Sequence, residues 1–137
     1  MAKDARIEDT RAWMRKAAQD LRAAEHEAMR EDDVLWSVIT FHAQQAAEKS
    51  LKAMLAWHDV PFRKTHSLEE LGRQCAALDS TLQELTSEAA PLTEYAWKYR
   101  YPGEEKEASR DEAERALATA RKVHAAVATR IPAEACP

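Results

Sequence analysis

The feature that most constrains this chain is how few residues interrupt helices. Only two Gly and five Pro occur in 137 residues, and residues 1–60 contain neither. Ala, Leu, Glu, Lys and Arg dominate the uninterrupted segments, and these residues lose least conformational freedom in a helix. Runs of Val, Ile and Thr, which are typical of strands, are missing. The sequence therefore predicts an all-α protein.

Apolar residues recur at steps of three and four along most of the chain, which indicates amphipathic helices. Three pairs have the spacing of a capping box: Ser67 with Glu70, Ser80 with Gln83, and Ser109 with Glu112. The first two predicted helices run from about Asp4 or Thr10 to Arg30, and from a cap at Asp32 or Asp33 to about His58. The others cover 68–78, then 82–99 with a kink or a restart at Pro91, and finally Ser109 to about Arg130.

Four long helices and one short helix, joined by short connections, predict an up-and-down four-helix bundle with an additional short helix. The second helix has a row of small residues, which predicts that a neighbouring helix packs closely against it. We expect one domain over residues 1–131. The segment 132–137, with two prolines and no periodicity, is predicted to be a disordered tail.

Charge and hydropathy exclude some functions. A net charge of −4 and a pI near 5.8 do not provide the basic surface that broad nucleic-acid binding requires, although a local basic patch is compatible with them. No segment approaches the ~20 apolar residues of a membrane span, so we expect a cytoplasmic protein with no membrane contact.

The two cysteines, Cys75 and Cys136, lack metal-ligand spacing. We expect Cys75 in the core and Cys136 in the tail.

A polar row on the second predicted helix is the first candidate site. In "FHAQQAAEKSLKAML", Phe41, Gln45, Glu48 and Lys52 share one helical face, with Gln44 beside it. One interpretation is an ordinary surface pair between Glu48 and Lys52. The other is a polar strip that lines a cleft or a subunit contact.

The second candidate is "KYRYP", in which Arg100 lies between Tyr99 and Tyr101. A guanidinium flanked by aromatic rings suits a phosphate, a base or a protein partner. Alternatively, the tyrosines cover the core and Arg100 pairs with a carboxylate such as Glu48 or Asp111.

Histidine is the remaining source of acid–base chemistry near neutral pH. We interpret His42 and His124 as packing residues and His66 as part of a local hydrogen bond or cap. The sequence has no Gly-rich phosphate loop, nucleophile elbow or metal cluster, so it predicts no cofactor and no metal site.

The motifs "FHAQQAAEKSLKAML", "THSLEELG", "YRYP" and "SRDEAERALATARKV" together resemble the HEPN domain family over nearly the whole chain. The resemblance implies a homodimeric helical bundle, often encoded beside a minimal nucleotidyltransferase in a toxin–antitoxin-like pair, with a nucleotide or RNA as ligand. The positions that match the family motifs, and that we expect to bind the ligand, are Gln45, Glu48, Lys52, His66, Arg100 and Tyr101.

Many members of that family are metal-independent ribonucleases with Arg, four to six residues, then His. After Arg100, the positions that would need His hold Glu105, Lys106 and Glu107. We therefore expect a non-catalytic nucleotide-binding or assembly subunit. The alternative is a ribonuclease in which Arg100 contacts the phosphate and His66, brought close by the fold, acts as the base.

Overall fold

The computed structural model describes residues 2–103 and 106–137. Its α-helices are α1 (Lys3–Ala28), α2 (Trp36–Trp57), α3 (Leu68–Leu78), α4 (Gln83–Ala89) and α5 (Arg110–Ala128). Short 3₁₀ segments at Ser80–Leu82, Ala90–Ala96 and Ala133–Ala135 complete the secondary structure, and no strand occurs in the described ranges. The predicted all-α bundle is confirmed.

Helix α2 is the central element, because it packs against α1, α5, α3 and the 3₁₀ segment Ala90–Ala96. Its predicted row of small residues is buried, and Ser50 Oγ donates to the Ala46 carbonyl at 2.7 Å. Cys75 is also in the core, as expected, and burial raises the pKa of its thiol to about 12. Since most of the circumference of α2 is covered, a polar residue on this helix is placed inside the bundle unless the neighbouring elements leave a gap.

The start of α2 differs from the prediction. Neither Asp32 nor Asp33 caps the helix, which begins at Trp36. Asp33 instead has a φ of 54°, a left-handed conformation that turns the chain after α1. The backbone N–H of Leu35 donates to Glu27 Oε2 at 3.0 Å, so a carboxylate from α1 satisfies a donor that a local cap would otherwise bind.

Two of the three predicted caps are confirmed. Ser67 accepts from Glu70 N–H at the start of α3, and Ser109 forms a complete capping box with Glu112 at the start of α5. The prediction at Ser80 is wrong, because Asp79 caps that turn by accepting from Thr81 N–H. Helix α4 ends just before Pro91, and the chain continues as a 3₁₀ segment to Ala96.

The C-terminal segment, for which the sequence predicts disorder, packs on the bundle instead. Ala135 is buried in the core cluster, and Cys136 packs against it. Arg11 of α1 donates a hydrogen bond to the Glu134 carbonyl. A single 3₁₀ turn at Ala133–Ala135 brings a small apolar side chain inward, which a search for helical periodicity does not detect. Within the described residues, no helix has the length and apolarity to cross a membrane.

Candidate functional site

A groove of about 640 Å³ opens between the start of α2 and the segment that follows the 3₁₀ turn Ala90–Ala96. It falls within the size range of small-molecule sites, roughly 300–1,000 Å³. We call it the Arg100 groove. Its lining residues are Val34, Leu35, Trp36, Ser37, Val38, Phe41, His42, Tyr99, Arg100 and Glu107.

Arg100 is exposed and lies over an aromatic ring of α2. Its guanidinium carbon is 3.8 Å from the centroid of the Phe41 ring and 5.7 Å from that of Tyr101. One guanidinium nitrogen donates to the Ala96 carbonyl at 3.1 Å. Arg100 therefore contacts α2 at Phe41, the first residue of the polar row.

Tyr99 and Glu112 hold the backbone that carries Arg100. Tyr99 has a φ of 68°, a conformation that costs a non-glycine residue roughly 1–2 kcal/mol. The hydroxyls of Tyr95 and Tyr99 both donate to Glu112, with the shortest distances at 2.7 and 3.1 Å. Glu112 also belongs to the capping box of α5. These hydrogen bonds therefore connect residues 97–101, which contain Arg100 and which we call the arginine segment, to the start of that helix.

The electrostatics of this support are consistent with an ionised Glu112. Burial raises the pKa of Glu112. Hydrogen bonds from Tyr95, Ser109 and Tyr99 lower this pKa by more than burial raises it, so it lies below the usual value. Burial and the bond to this carboxylate raise the pKa of Tyr95. Both shifts favour a phenol that donates to a carboxylate at neutral pH.

Glu48, Lys52 and His66 form a separate group, the Glu48 cluster. Glu48 Oε2 accepts from Lys52 Nζ at 2.9 Å, and Glu48 Oε1 lies 2.7 Å from His66 Nδ1. Gln44 joins it by donating to Glu48 Oε1 at 3.1 Å and to the His66 carbonyl at 3.2 Å. The cluster ties the start of α3 to the middle of α2.

The Glu48–Lys52 pair is neither the surface pair nor the cleft lining that the sequence suggested. The two side chains are only 4% and 9% exposed. Lys52 Nζ lies 5.3 Å from the ring of Trp13 and 5.8 Å from that of Phe62, which cover it. The Glu48 carboxylate, one of the two that the sequence offered as a partner for Arg100, is thus bound by Lys52 and His66.

The six predicted ligand-binding residues thus divide between two places. Arg100 lines the groove, and Tyr101 follows it with an exposed ring. Glu48, Lys52 and His66 form the Glu48 cluster, and Gln45 donates to Gln44 Oε1 at 2.7 Å beside it. Glu105, one of the positions where the nuclease motif would need His, lies outside the described residues.

The histidine that lines the groove with Arg100 is His42, not His66. His42 Nδ1 lies 2.8 Å from Asp20 Oδ1, and Lys49 Nζ donates to Asp20 Oδ2 at 2.6 Å. We call these three residues the Asp20 cluster. From the sequence alone, His42 is predicted to be a packing residue, and no role is predicted for Asp20. Only the position of His42 next to Phe41 hinted at the groove, because Asp20 comes from another helix.

Over residues 2–103 and 106–137, no group of three or more His, Cys, Asp or Glu side chains is arranged to hold a metal ion. The groove presents a guanidinium, an imidazole and aromatic rings. Such an arrangement recognises an anionic group beside a planar one.

The sequence model of the HEPN domain matches residues 10–131. No curated protein and no solved structure matches the chain significantly. The matched range takes in most of α1 and all of α2 to α5, and with them both the Glu48 cluster and the Arg100 groove. Since the match covers nearly the whole chain and the observed fold is a helical bundle, this protein belongs to the HEPN domain family.

Proposed function

We propose that this protein is a non-catalytic subunit that binds a nucleotide or a related phosphorylated ligand in the Arg100 groove. The observation that carries the proposal is the position of the Arg100 guanidinium, 3.8 Å from the Phe41 ring centroid at the edge of the groove. A planar guanidinium has five N–H donors, which suit the oxygens of a phosphate, and one nitrogen of Arg100 donates to the Ala96 carbonyl. Resting on Phe41 holds that plane in a defined orientation.

Aromatic rings around Arg100 suit the base of the same ligand. Tyr101 is 60% exposed, and its ring centroid lies 5.7 Å from the guanidinium carbon. Trp36 and Tyr99 also line the groove. Stacking of a base on an aromatic side chain contributes about 1–3 kcal/mol, and a charge-assisted hydrogen bond from Arg100 contributes about 1.5–3 kcal/mol. One ring and one arginine together therefore correspond to a dissociation constant between about 10 mM and about 40 μM.

The proposed partner is a minimal nucleotidyltransferase, with which a homodimer of this chain acts as a toxin–antitoxin-like pair. The resemblance of the sequence motifs to the HEPN family supports this part. Large apolar side chains that remain exposed near Arg100 are compatible with it: Leu35 and Val38 border the groove, and Trp97 and Tyr101 belong to the arginine segment. Co-expression with a minimal nucleotidyltransferase, followed by size-exclusion chromatography, tests it: one co-eluting complex is expected, and separate elution would refute this part.

The binding proposal is tested by titrating the protein with AMP, ATP and a deoxydinucleotide in a calorimeter. We expect saturable binding that Arg100→Ala weakens at least tenfold, because a charge-assisted hydrogen bond contributes about 1.5–3 kcal/mol. Arg73→Ala is the matched control, since Arg73 is also exposed but pairs with Glu69 on α3. Equal affinities of wild type and Arg100→Ala for all three ligands would refute the proposal.

The ribonuclease alternative needs its own measurement. Total RNA is incubated without added metal with the wild type, Arg100→Ala and His66→Ala. The proposal expects intact RNA in every sample. Cleavage that disappears in Arg100→Ala and in His66→Ala would establish the alternative with Arg100 and His66 in the roles that the family resemblance suggests.

A further inference from the structure

His42 is the second ionisable side chain of the Arg100 groove that can carry a positive charge, and no role follows for it from the family motifs. Its side chain is 28% exposed, so it is accessible from the groove while its ring is held on the protein side by Asp20. An accessible imidazole with a fixed orientation beside an arginine is a recurrent way to contact an anion. A role of His42 in ligand binding rests on the proposed function of the groove.

We infer that His42, positioned by Asp20, binds the same phosphate group as Arg100, and that it does so in its protonated form. The ligand class is a nucleotide or oligonucleotide that places one phosphate between the imidazolium and the guanidinium. Affinity at the groove then falls as His42 loses its proton.

The distances allow one phosphate to contact both side chains. The Arg100 guanidinium carbon is 3.8 Å from the Phe41 centroid, and the centroids of Phe41 and His42 are 5.2 Å apart. The guanidinium carbon and the imidazole centroid are therefore at most about 9 Å apart, whatever the angle at Phe41. A phosphate held by one charge-assisted hydrogen bond of about 2.7–2.9 Å on each side bridges a gap of this size.

The contact with Asp20 determines which imidazole nitrogen is presented to the ligand. An ionised carboxylate only accepts hydrogen bonds, so His42 Nδ1, 2.8 Å from Asp20 Oδ1, carries a proton and donates it. Burial raises the pKa of Asp20, but the bonds from His42 and Lys49 lower it more, which keeps this carboxylate ionised at neutral pH. Nε2 is then the nitrogen that gains or loses a proton.

The charged groups around His42 come from three parts of the chain. Asp20 faces it from α1, and Lys49 of α2 binds the other oxygen of Asp20. Arg100, Tyr99 and Glu107 share the groove with it, and Glu107 accepts a hydrogen bond from Ser37. Asp20 and Glu107 are carboxylates, whereas Lys49 and Arg100 are cations. A bound phosphate adds a negative charge and thus favours the protonated form that binds it.

The test uses deoxyadenylyl-deoxyadenosine, whose single phosphodiester keeps one negative charge near neutral pH and offers no 2′-hydroxyl for cleavage. Affinity is measured by calorimetry from about pH 5.5 to about pH 8, where histidine changes its charge. For the wild type we expect affinity to fall about tenfold across this range, the effect of losing one charge-assisted hydrogen bond. An affinity that does not change with pH would overturn the inference.

Two variants of the Asp20 cluster separate its roles. His42→Gln keeps a neutral N–H donor but cannot be protonated, so it should bind weakly and equally at every pH. Asp20→Asn removes the charge that favours the imidazolium and should move the midpoint of the affinity profile to lower pH, which a purely structural role would not do. His58→Ala, which removes an exposed histidine at the far end of α2, should keep the wild-type profile.

Failure of this inference is distinguishable from failure of the proposed function. If the dinucleotide binds, and binding requires Arg100 but neither depends on pH nor changes in His42→Gln, then the groove binds phosphate without His42. If the dinucleotide, AMP and ATP all fail to bind the wild type at every pH, then the groove itself is not a nucleotide site.

Discussion

The Glu48 cluster and the Asp20 cluster contain the same three kinds of side chain with the same connections. In each, one carboxylate oxygen contacts a histidine Nδ1 and the other contacts a lysine Nζ. These distances are 2.7 and 2.9 Å in the Glu48 cluster, and 2.8 and 2.6 Å in the Asp20 cluster. The lysines Lys52 and Lys49 both come from α2. What differs is the surroundings of the two clusters.

In the Glu48 cluster the lysine is covered by Trp13 and Phe62, and the histidine anchors the start of α3. In the Asp20 cluster the histidine borders the Arg100 groove. The same chemistry therefore has two consequences. In the Glu48 cluster, Trp13 and Phe62 bury the Glu48–Lys52 pair inside the bundle, although His66 is 59% exposed. In the Asp20 cluster, the half-buried His42 lines the groove in which we propose that a ligand binds.

The largest effect that would separate the two clusters is the loss of stability on removing Glu48. Glu48→Ala leaves the Lys52 ammonium buried without its carboxylate, and breaking a buried pair in this way costs about 3–5 kcal/mol. Urea unfolding followed by circular dichroism measures the loss. The double variant Glu48→Leu with Lys52→Met, which removes both charges, should be more stable than Glu48→Ala.

The matched control is Glu69→Ala on α3. Glu69 and Arg73 have the same i,i+4 spacing as Glu48 and Lys52, but their side chains are 70% and 73% exposed. Surface pairs of this kind contribute little, so this variant should lose less than about 0.5 kcal/mol. Equal losses in Glu48→Ala and Glu69→Ala would show that burial does not distinguish the two pairs.

A smaller effect is expected from Asp20→Asn, and it should depend on pH. The folded-state pKa of Asp20 is lowered, so the stability it provides is present above the unfolded-state pKa of about 3.9 and is lost as pH falls through the lower folded value. At neutral pH we expect Asp20→Asn to cost about 1.5–3 kcal/mol, from hydrogen bonds to a charged group.

Urea unfolding of the wild type and Asp20→Asn at about pH 7 and about pH 3 checks this expectation. The difference between the two proteins should shrink in acid, because below a pKa of about 3.9 the unfolded wild type binds a proton that the folded Asp20 carboxylate, with its lowered pKa, does not bind as readily. Asp32→Asn, at an exposed aspartate in the α1–α2 connection, serves as the control. A difference that stays constant down to pH 3 would mean that the charge of Asp20 does not stabilise the fold.

The helices could be predicted from the sequence because their causes are local. Apolar spacing located α1, α2 and α5, and side-chain caps at Ser67 and Ser109 marked two starts. The starts and ends that depend on distant residues could not be predicted. Glu27 binds the Leu35 N–H across a turn, and the C-terminal segment is held by its packing against the core rather than by its own sequence pattern.

The candidate site shows the same division. The sequence predicted one site for Arg100 and the polar row of α2, but the Arg100 guanidinium lies over Phe41, while Glu48 and Lys52 belong to a cluster of their own. It could not tell which part of the row would be covered, since Trp13 and Phe62 come from other segments. It also missed the pairing of His42 with Asp20, because the two residues face each other from different helices and neither belongs to a recognisable spacing.

The smallest stability effect is expected at Arg100, although its effect on ligand binding is expected to be large. Arg100 and Lys52 both lie near aromatic rings, but Arg100 is exposed and an exposed cation–π contact contributes only about 0.5–1 kcal/mol. Arg100→Ala should therefore lose no more than about 1 kcal/mol in urea unfolding, whereas Lys52→Ala, which leaves Glu48 buried without its lysine, should lose about 3–5 kcal/mol. If Arg100→Ala were as destabilising as Lys52→Ala, then Arg100 would be part of the structural framework, and its loss of nucleotide binding would no longer identify the groove as a binding site.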